Sequence, residues 1–329
     1  METDTLLGVA AGLAVGILLV VLGWLFTRLA GARRGRRAIK AEAPKWEEHH
    51  RPVYAHNPEQ FGHHPLGLAL AVSAGFTLCR NEPLDEFGYR DATGEQELLA
   101  RHWSIHNRSD VLEQIWWLLT QGHRTEWETL RAMVVSGDPQ LQALRRGLSR
   151  QYQTSADARE QLLRIRRMQR NERDVQRVNL SAWDLSRAVM LARSGMAAGY
   201  LERELAEDIT LQAAGYVQQE YGSWQQFSTA MLTARWFWNS KRGVEDQVDT
   251  AHDQHNQAVL LSADGPYQLV DFTSRGRSSR NLLLASDPPH WAMLAAHVPG
   301  DLGRGWHREL LMNARAGTGN HPDASTHKG

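Results

Sequence analysis

The chain has few of the features that mark a familiar activity. Its 329 residues contain one cysteine, Cys79, which excludes an internal disulfide and agrees with a reducing compartment. Lysine and arginine number 37, as do aspartate and glutamate, and this zero balance argues against a generally basic nucleic-acid binder. The sequence has no HExxH pair, no phosphate-cradling glycine loop, no GxSxG elbow and no paired CxxC. These absences weigh against catalysis of a familiar kind, and no cofactor is expected.

What is present begins with an unbroken apolar run from Leu6 to Phe26. Glu2 and Asp4 precede it, and Arg28, Arg33, Arg34, Arg36, Arg37 and Lys40 follow. A helix rises about 1.5 Å per residue, so roughly 20 apolar residues cross the roughly 30 Å hydrocarbon layer. Residues 6 to 28 are therefore expected to form one transmembrane helix. Basic residues are retained on the cytoplasmic side, which puts the N-terminus outside and the rest of the chain in the cytoplasm. A cleaved signal peptide fits less well, because the start is acidic, the apolar run is long and Arg28 directly precedes the small residues from Ala30 to Ala32. Gly8, Gly12 and Gly16 are spaced by four, with Gly23 on nearly the same stripe. Such a groove lets two helices approach closely, so the bilayer and a second copy of the chain are the expected partners of this segment.

Residues 29 to 64 read as a basic, histidine-rich juxtamembrane linker, exposed from 41 onward, with Pro44, Pro52 and Pro58 and no sustained apolar period. His49, His50, His56, His63 and His64 carry the ligand chemistry of a metal-responsive device. A flexible tract lacks the groups that orient such ligands, so solvated side chains are the stronger expectation. His252 and His255 are three apart on an expected helix but lack a Glu or Cys partner at a defined spacing.

From residue 65 to 313 the pattern is mainly α, a multi-helix bundle. Leu66 to Leu78 predicts one apolar helix, and Glu95 to Trp103 a second. Ser109 is the expected N-cap of a helix carrying Val111, Leu112, Ile115, Trp116, Leu118 and Leu119, stopped at Gly122. Residues 141 to 178 contain ten arginines threaded by leucines, which predicts a long exposed helix. Apart from Tyr152 no aromatics alternate with those arginines, so nucleic acid is an unlikely partner and an unknown protein partner is expected instead. Asn179 or Ser181 caps the next helix, which carries Trp183, Asp184, Arg187 and Leu191 and ends at Gly195. Glu202 to Glu220 follows, and Ser223 with Gln226 forms a capping box for a helix through Trp236. The short loops imply antiparallel neighbours. Beyond Gly243 the helical pattern weakens, and Ala258–Ser262 and Tyr267–Phe272 flank Asp264-Gly265 as in a small β-hairpin. Residues 314 to 329 read as a disordered tail.

Several dispersed motifs carry a resemblance. They are Ala182-Trp183-Asp184-Leu185-Ser186-Arg187, Leu191-Ala192-Arg193-Ser194-Gly195, Gly199-Tyr200 and Ser223-Trp224-Gln225-Gln226-Phe227, with Trp103-Ser104-Ile105, Trp117-Leu118-Leu119 and Gly122-His123-Arg124 upstream. Over about residues 66 to 240 the chain resembles the bacterial family catalogued as domain of unknown function 1266. The resemblance implies a mainly helical domain of unestablished activity and brings no catalytic residues with it.

The candidate polar site is His123, Arg124, Trp183, Asp184 and Arg187. Asp184 and Arg187, three apart on one helix, can pair, and His123 with Arg124 can close on the same place. Such a set either locks the fold, holds an anionic ligand, or in principle lets His123 act as a general base oriented by Asp184. The expected function is an interaction or ligand-binding module behind a membrane anchor. The alternative is an enzyme acting on an anionic substrate.

Overall fold

The computed structural model describes residues 27, 28, 30–274 and 276–285. Residues 6–26 of the expected transmembrane helix, with Gly8, Gly12, Gly16 and Gly23, and the expected tail from residue 314 lie outside the described residues. Among the described residues no helix is long and apolar enough to cross a membrane. All regular structure among them is helical.

The helices run in chain order. Residues 30–49 form α1, followed by α2 (Pro58–Phe61), α3 (Gly67–Val72), α4 (Ala74–Cys79) and α5 (Ala92–Trp103). Next come α6 (Arg108–Thr120), α7 (Gly122–Ser136), α8 (Pro139–Arg150) and α9 (Ala156–Gln169). After a 3-10 turn at Glu172–Asp174 come α10 (Ser181–Ala197), α11 (Arg203–Glu220), α12 (Trp224–Trp238), α13 (Gly243–Leu260), α14 (Pro266–Leu269) and α15 (Leu282–Ala285).

Helix α10 is buried on nearly every side, its polar residues Asp184, Ser186 and Arg193 included. It packs against α3, α5, α6, α7, α11 and α12. Leu185, Ala188, Val189, Leu191 and Ala192 on it belong to the main core with Trp116, Ile115, Ile209 and Phe227. Trp183, one turn from its start, belongs to a second core with Trp127, Met168, Phe237 and Trp238. The helix therefore joins two cores, and its polar residues face places where water is scarce.

Arg193 shows how such a residue is accommodated. It is fully buried, and its guanidinium donates to Phe87 O, Ser73 Oγ and Glu86 O, each at 2.9 Å. Neutral oxygens satisfy it, and it ties the α3–α4 junction to the loop before α5. Burial depresses its pKa.

Several sequence expectations need correction. The residues expected as an exposed linker are ordered against the bundle: α1 stays helical to residue 49, Leu84 N donates to Val53 O at 2.8 Å, and Phe61 is buried. The single helix from Leu66 to Leu78 divides at Ser73 into α3 and α4. Residues 141 to 178 form no single long helix; α8 and α9 are separate and pack on each other, and Arg167 is buried. Asn107, and not Ser109, caps α6, its side chain accepting from Asp110 N at 3.1 Å. Asn179 accepts from Ser181 N at 2.9 Å, and α10 runs past Gly195 to Ala197. The expected pairing of Ser223 with the Gln226 backbone is present at 3.2 Å.

No β-hairpin forms around Asp264-Gly265. Ala258 to Leu260 complete α13, and Pro266 starts α14 at its first turn, where its missing N–H and fixed φ cost nothing. Helix α13 escaped the apolar pattern because polar contacts hold much of it. Asp253 pairs with Arg235 at 2.6 Å, and Asp249 accepts from Asn239 at 2.9 Å.

Candidate functional site

The site begins at the turn between α6 and α7. Gly122 has φ +61°, in the left-handed region, and a side chain there would collide with the Asp184 carboxylate and with Arg124 Nη1. The bare glycine lets the backbone reach that carboxylate. His123 N donates to Asp184 Oδ1 at 2.9 Å and Arg124 N to Oδ2 at 3.1 Å.

Arg124 does two things at once. Its Nη1 donates to Asp184 Oδ2 at 2.9 Å, and its Nη1 and Nη2 donate to the carbonyls of Leu118 at 2.7 Å and Leu119 at 2.8 Å. Those carbonyls lie in the last turn of α6, where no intrahelical N–H remains to meet them. The pair is closed to solvent, with Asp184 0% and Arg124 2% exposed. Burial pushes the Asp184 pKa up, but the hydrogen bond from His123 and the charge of Arg124 outweigh it, so the carboxyl titrates below its ordinary range.

His123 stands at the boundary. Its Nδ1 is 3.0 Å from Asp184 Oδ1 and its Nε2 is 3.1 Å from Arg187 Nη1. A guanidinium can only donate, so Nε2 accepts from it and Nδ1 carries the ring proton toward Asp184. The ring is held edge-on by Trp117 at 4.9 Å and Trp238 at 5.4 Å.

Arg187 departs from the sequence expectation. It does not pair with Asp184; its guanidinium lies 4.0 Å from the Trp183 ring and 5.1 Å from that of Trp103. Among the described residues no carboxylate lies within ion-pair distance of it, and its Nε is buried without a hydrogen-bond partner. Burial lowers its pKa, the charge of Asp184 opposes this and Arg235 adds repulsion, so the guanidinium is brought down to about 10. Arg187 and His123 line an open cleft of about 820 Å³ together with Arg80, His102, Trp103 and Arg235.

The five candidate residues therefore meet but divide into two roles. Arg124 and Asp184 are packed shut, Trp183 and His123 connect inside to outside, and Arg187 faces the cleft. A profile of the family described as protein of unknown function (DUF1266) matches residues 98–272, just over half of the chain. The chain belongs to the DUF1266 family. Comparisons with curated proteins and with solved structures give no match. The DUF1266 match begins at residue 98, later than the 66 expected, and continues past 240 through α13 and α14. It contains all five candidate residues, while Phe76 and Arg80 of the cleft precede it.

Three basic residues of this DUF1266 cleft were not read from the sequence. Arg80 pairs with Glu95 at 3.3 Å, Arg235 with Asp253 at 2.6 Å, and His102 lies at the end of α5. Arg235 had a signal: it is the only charged residue in the otherwise apolar and neutral α12. Arg80 and His102 had none, because only the packing of α5 against α10, and the reach of Arg80 from the end of α4 to Glu95 of α5, bring them to the cleft.

The histidines of the expected linker are dispersed in this DUF1266 protein. His50 Nδ1 meets Asn256 Oδ1 at 2.7 Å, His56 meets Asp85 at 3.1 Å, and His49 meets its own helix at Lys45 O at 2.8 Å. His252 and His255 pack against Trp46 and His50. Among the described residues no group of three or more His, Cys, Asp or Glu could hold a metal ion.

Proposed function

We propose that this chain is a membrane-tethered module that binds a small anion in the cleft at Arg187. The observation that carries the reading is the state of that guanidinium: mostly buried, stacked on two tryptophans, unmatched by any carboxylate among the described residues, and facing an open cleft. A buried charge without a counter-charge is costly, and an incoming carboxylate or phosphate relieves that cost with charge-assisted hydrogen bonds. Arg80 and Arg235 line the same cleft, each paired with an acid of its own, Glu95 at 3.3 Å and Asp253 at 2.6 Å.

The apolar run from Leu6 to Phe26 supports the tether, with the bulk of the chain on the cytoplasmic side of a bacterial inner membrane and the glycine stripe as a homodimer face. Helix α1 follows that run in the chain and carries Arg33, Arg34, Arg36, Arg37 and Lys40 exposed. Just past its far end, His50 meets Asn256 of α13 at 2.7 Å, which attaches α1 to the bundle.

An enzyme with His123 as general base has less support, because the Nε2 lone pair that would take a proton is already engaged by Arg187 at 3.1 Å. The binding reading is tested by calorimetric titration of the full chain with acetate and with phosphate. Binding by the wild type that is lost in Arg187→Gln supports it; equal binding by both contradicts it.

A further inference from the structure

A second, more enclosed cavity of about 70 Å³ lies beside the cleft, between α4, α10, α12 and α13. Phe76 and Arg235 line both spaces. The walls of the inner one are otherwise mainly apolar, with Val72, Met231, Leu232 and Leu260. Polar groups interrupt them: Ser228, Asp253, Asn256 and Gln257 on α12 and α13, and two on α10 that have no hydrogen-bond partner. Ser186 lines the cavity and is 1% exposed, yet its hydroxyl has no hydrogen-bond partner, and the Trp183 Nε1 on the same wall has none either. Both are donors, and buried donors without acceptors are uncommon enough to ask what meets them.

We infer that the ligand is a short-chain carboxylate whose chain carries a carbonyl oxygen. This rests on the anion-binding reading and extends it. The carboxylate lies in the cleft at Arg187, beside Arg235, which is paired with Asp253 at 2.6 Å. The chain passes Phe76 into the inner cavity, and the carbonyl accepts from the Ser186 hydroxyl and the Trp183 indole N–H. The volume sets the length, since a cavity of about 150 Å³ takes benzene and roughly half of that suits three or four carbons. Trp183 is shared by both parts of the site. One face carries the Arg187 guanidinium at 4.0 Å, and the ring also borders the cavity and lies 6.4 Å from Phe76.

The test is calorimetric titration of the full chain with acetate, pentanoate and 4-oxopentanoate. Each buried methylene strengthens binding about three- to fourfold, so pentanoate is expected at least about tenfold tighter than acetate. The oxo group is expected to add about fivefold more. In Ser186→Ala, a helix-favouring change that deletes only the unpartnered hydroxyl, the ratio of 4-oxopentanoate to pentanoate affinity should fall toward one. If acetate binds and 4-oxopentanoate binds no tighter, the inference is overturned while the anion site stands. If none of the three binds while phosphate does, the inference is overturned and the anion site stands; if phosphate fails as well, the anion site falls with it. The wild-type series gives this answer whether or not the variant folds.

Discussion

Asp184 and Arg124 form an ion pair at 2.9 Å although 60 positions separate them in the chain, and neither is more than 2% exposed. The pair fastens α10 to the start of α7 and aims His123 at the cleft. Removing one partner leaves a buried charge uncompensated. Asp184→Asn is therefore expected to cost about 3–5 kcal/mol of folding stability, read from urea denaturation at neutral pH. A cost below about 1 kcal/mol, typical of an exposed pair, would contradict a locking role.

The same pair predicts a pH dependence of definite sign. The folded-state pKa of Asp184 is depressed below 3.8, so between the folded and unfolded values the unfolded chain binds more protons and stability rises with pH. The contribution is fully present above the unfolded value and is lost as pH falls through the folded one. The stability gap between wild type and Asp184→Asn should accordingly be constant from neutrality down to about pH 5 and shrink below about pH 4. A gap that grows in acid would reverse the sign and refute the assignment.

Gly122→Ala tests the close approach. The residue would have to hold φ +61° and place a methyl group against the Asp184 carboxylate. A loss of about 2–4 kcal/mol is expected from strain and from disruption of the pair. Gly137→Ala is the control: it also sits at positive φ, +68°, but nothing lies within 4 Å of an added methyl. Equal losses at the two positions would show that the Asp184 contact contributes nothing.

The tether has its own test. Leu18→Arg with Leu19→Arg places two charges near the middle of the apolar run, at about 2.5–3.5 kcal/mol each by insertion scales. Wild type should stay with membranes after alkaline carbonate extraction and the double variant should not. Extraction of the wild type would remove the anchor.

The sequence offered His123, Arg124, Trp183, Asp184 and Arg187 as a set able to close on one place, because short motifs marked both ends of the contact. It misassigned the partners inside that place. Helical spacing offered Arg187 to Asp184, whereas the left-handed turn at Gly122 delivers two backbone N–H groups and Arg124 to the carboxylate, and Arg187 turns to the tryptophans. Apolar period found α6, α10, α11 and α12, which bury wide faces. It gave no sign of the length of α13, which the sequence offered only as an expected helix at His252 and His255; its hold on the bundle includes Asp253, Asn239 and Asn256, and hydrogen-bonded polar contacts leave no period to read. Arg80 and His102 reach the cleft through packing alone, which no local pattern encodes.

The most direct measurement of the central claim is the position of a bound anion. Crystals of the chain soaked in selenate would be read at the selenium absorption edge, where the anion alone contributes a strong anomalous signal. The account predicts a peak within hydrogen-bonding distance of the Arg187 guanidinium, in the cleft beside Trp103 and His123. An empty cleft, with Arg187 still unpaired and selenate bound elsewhere on the surface, would contradict it.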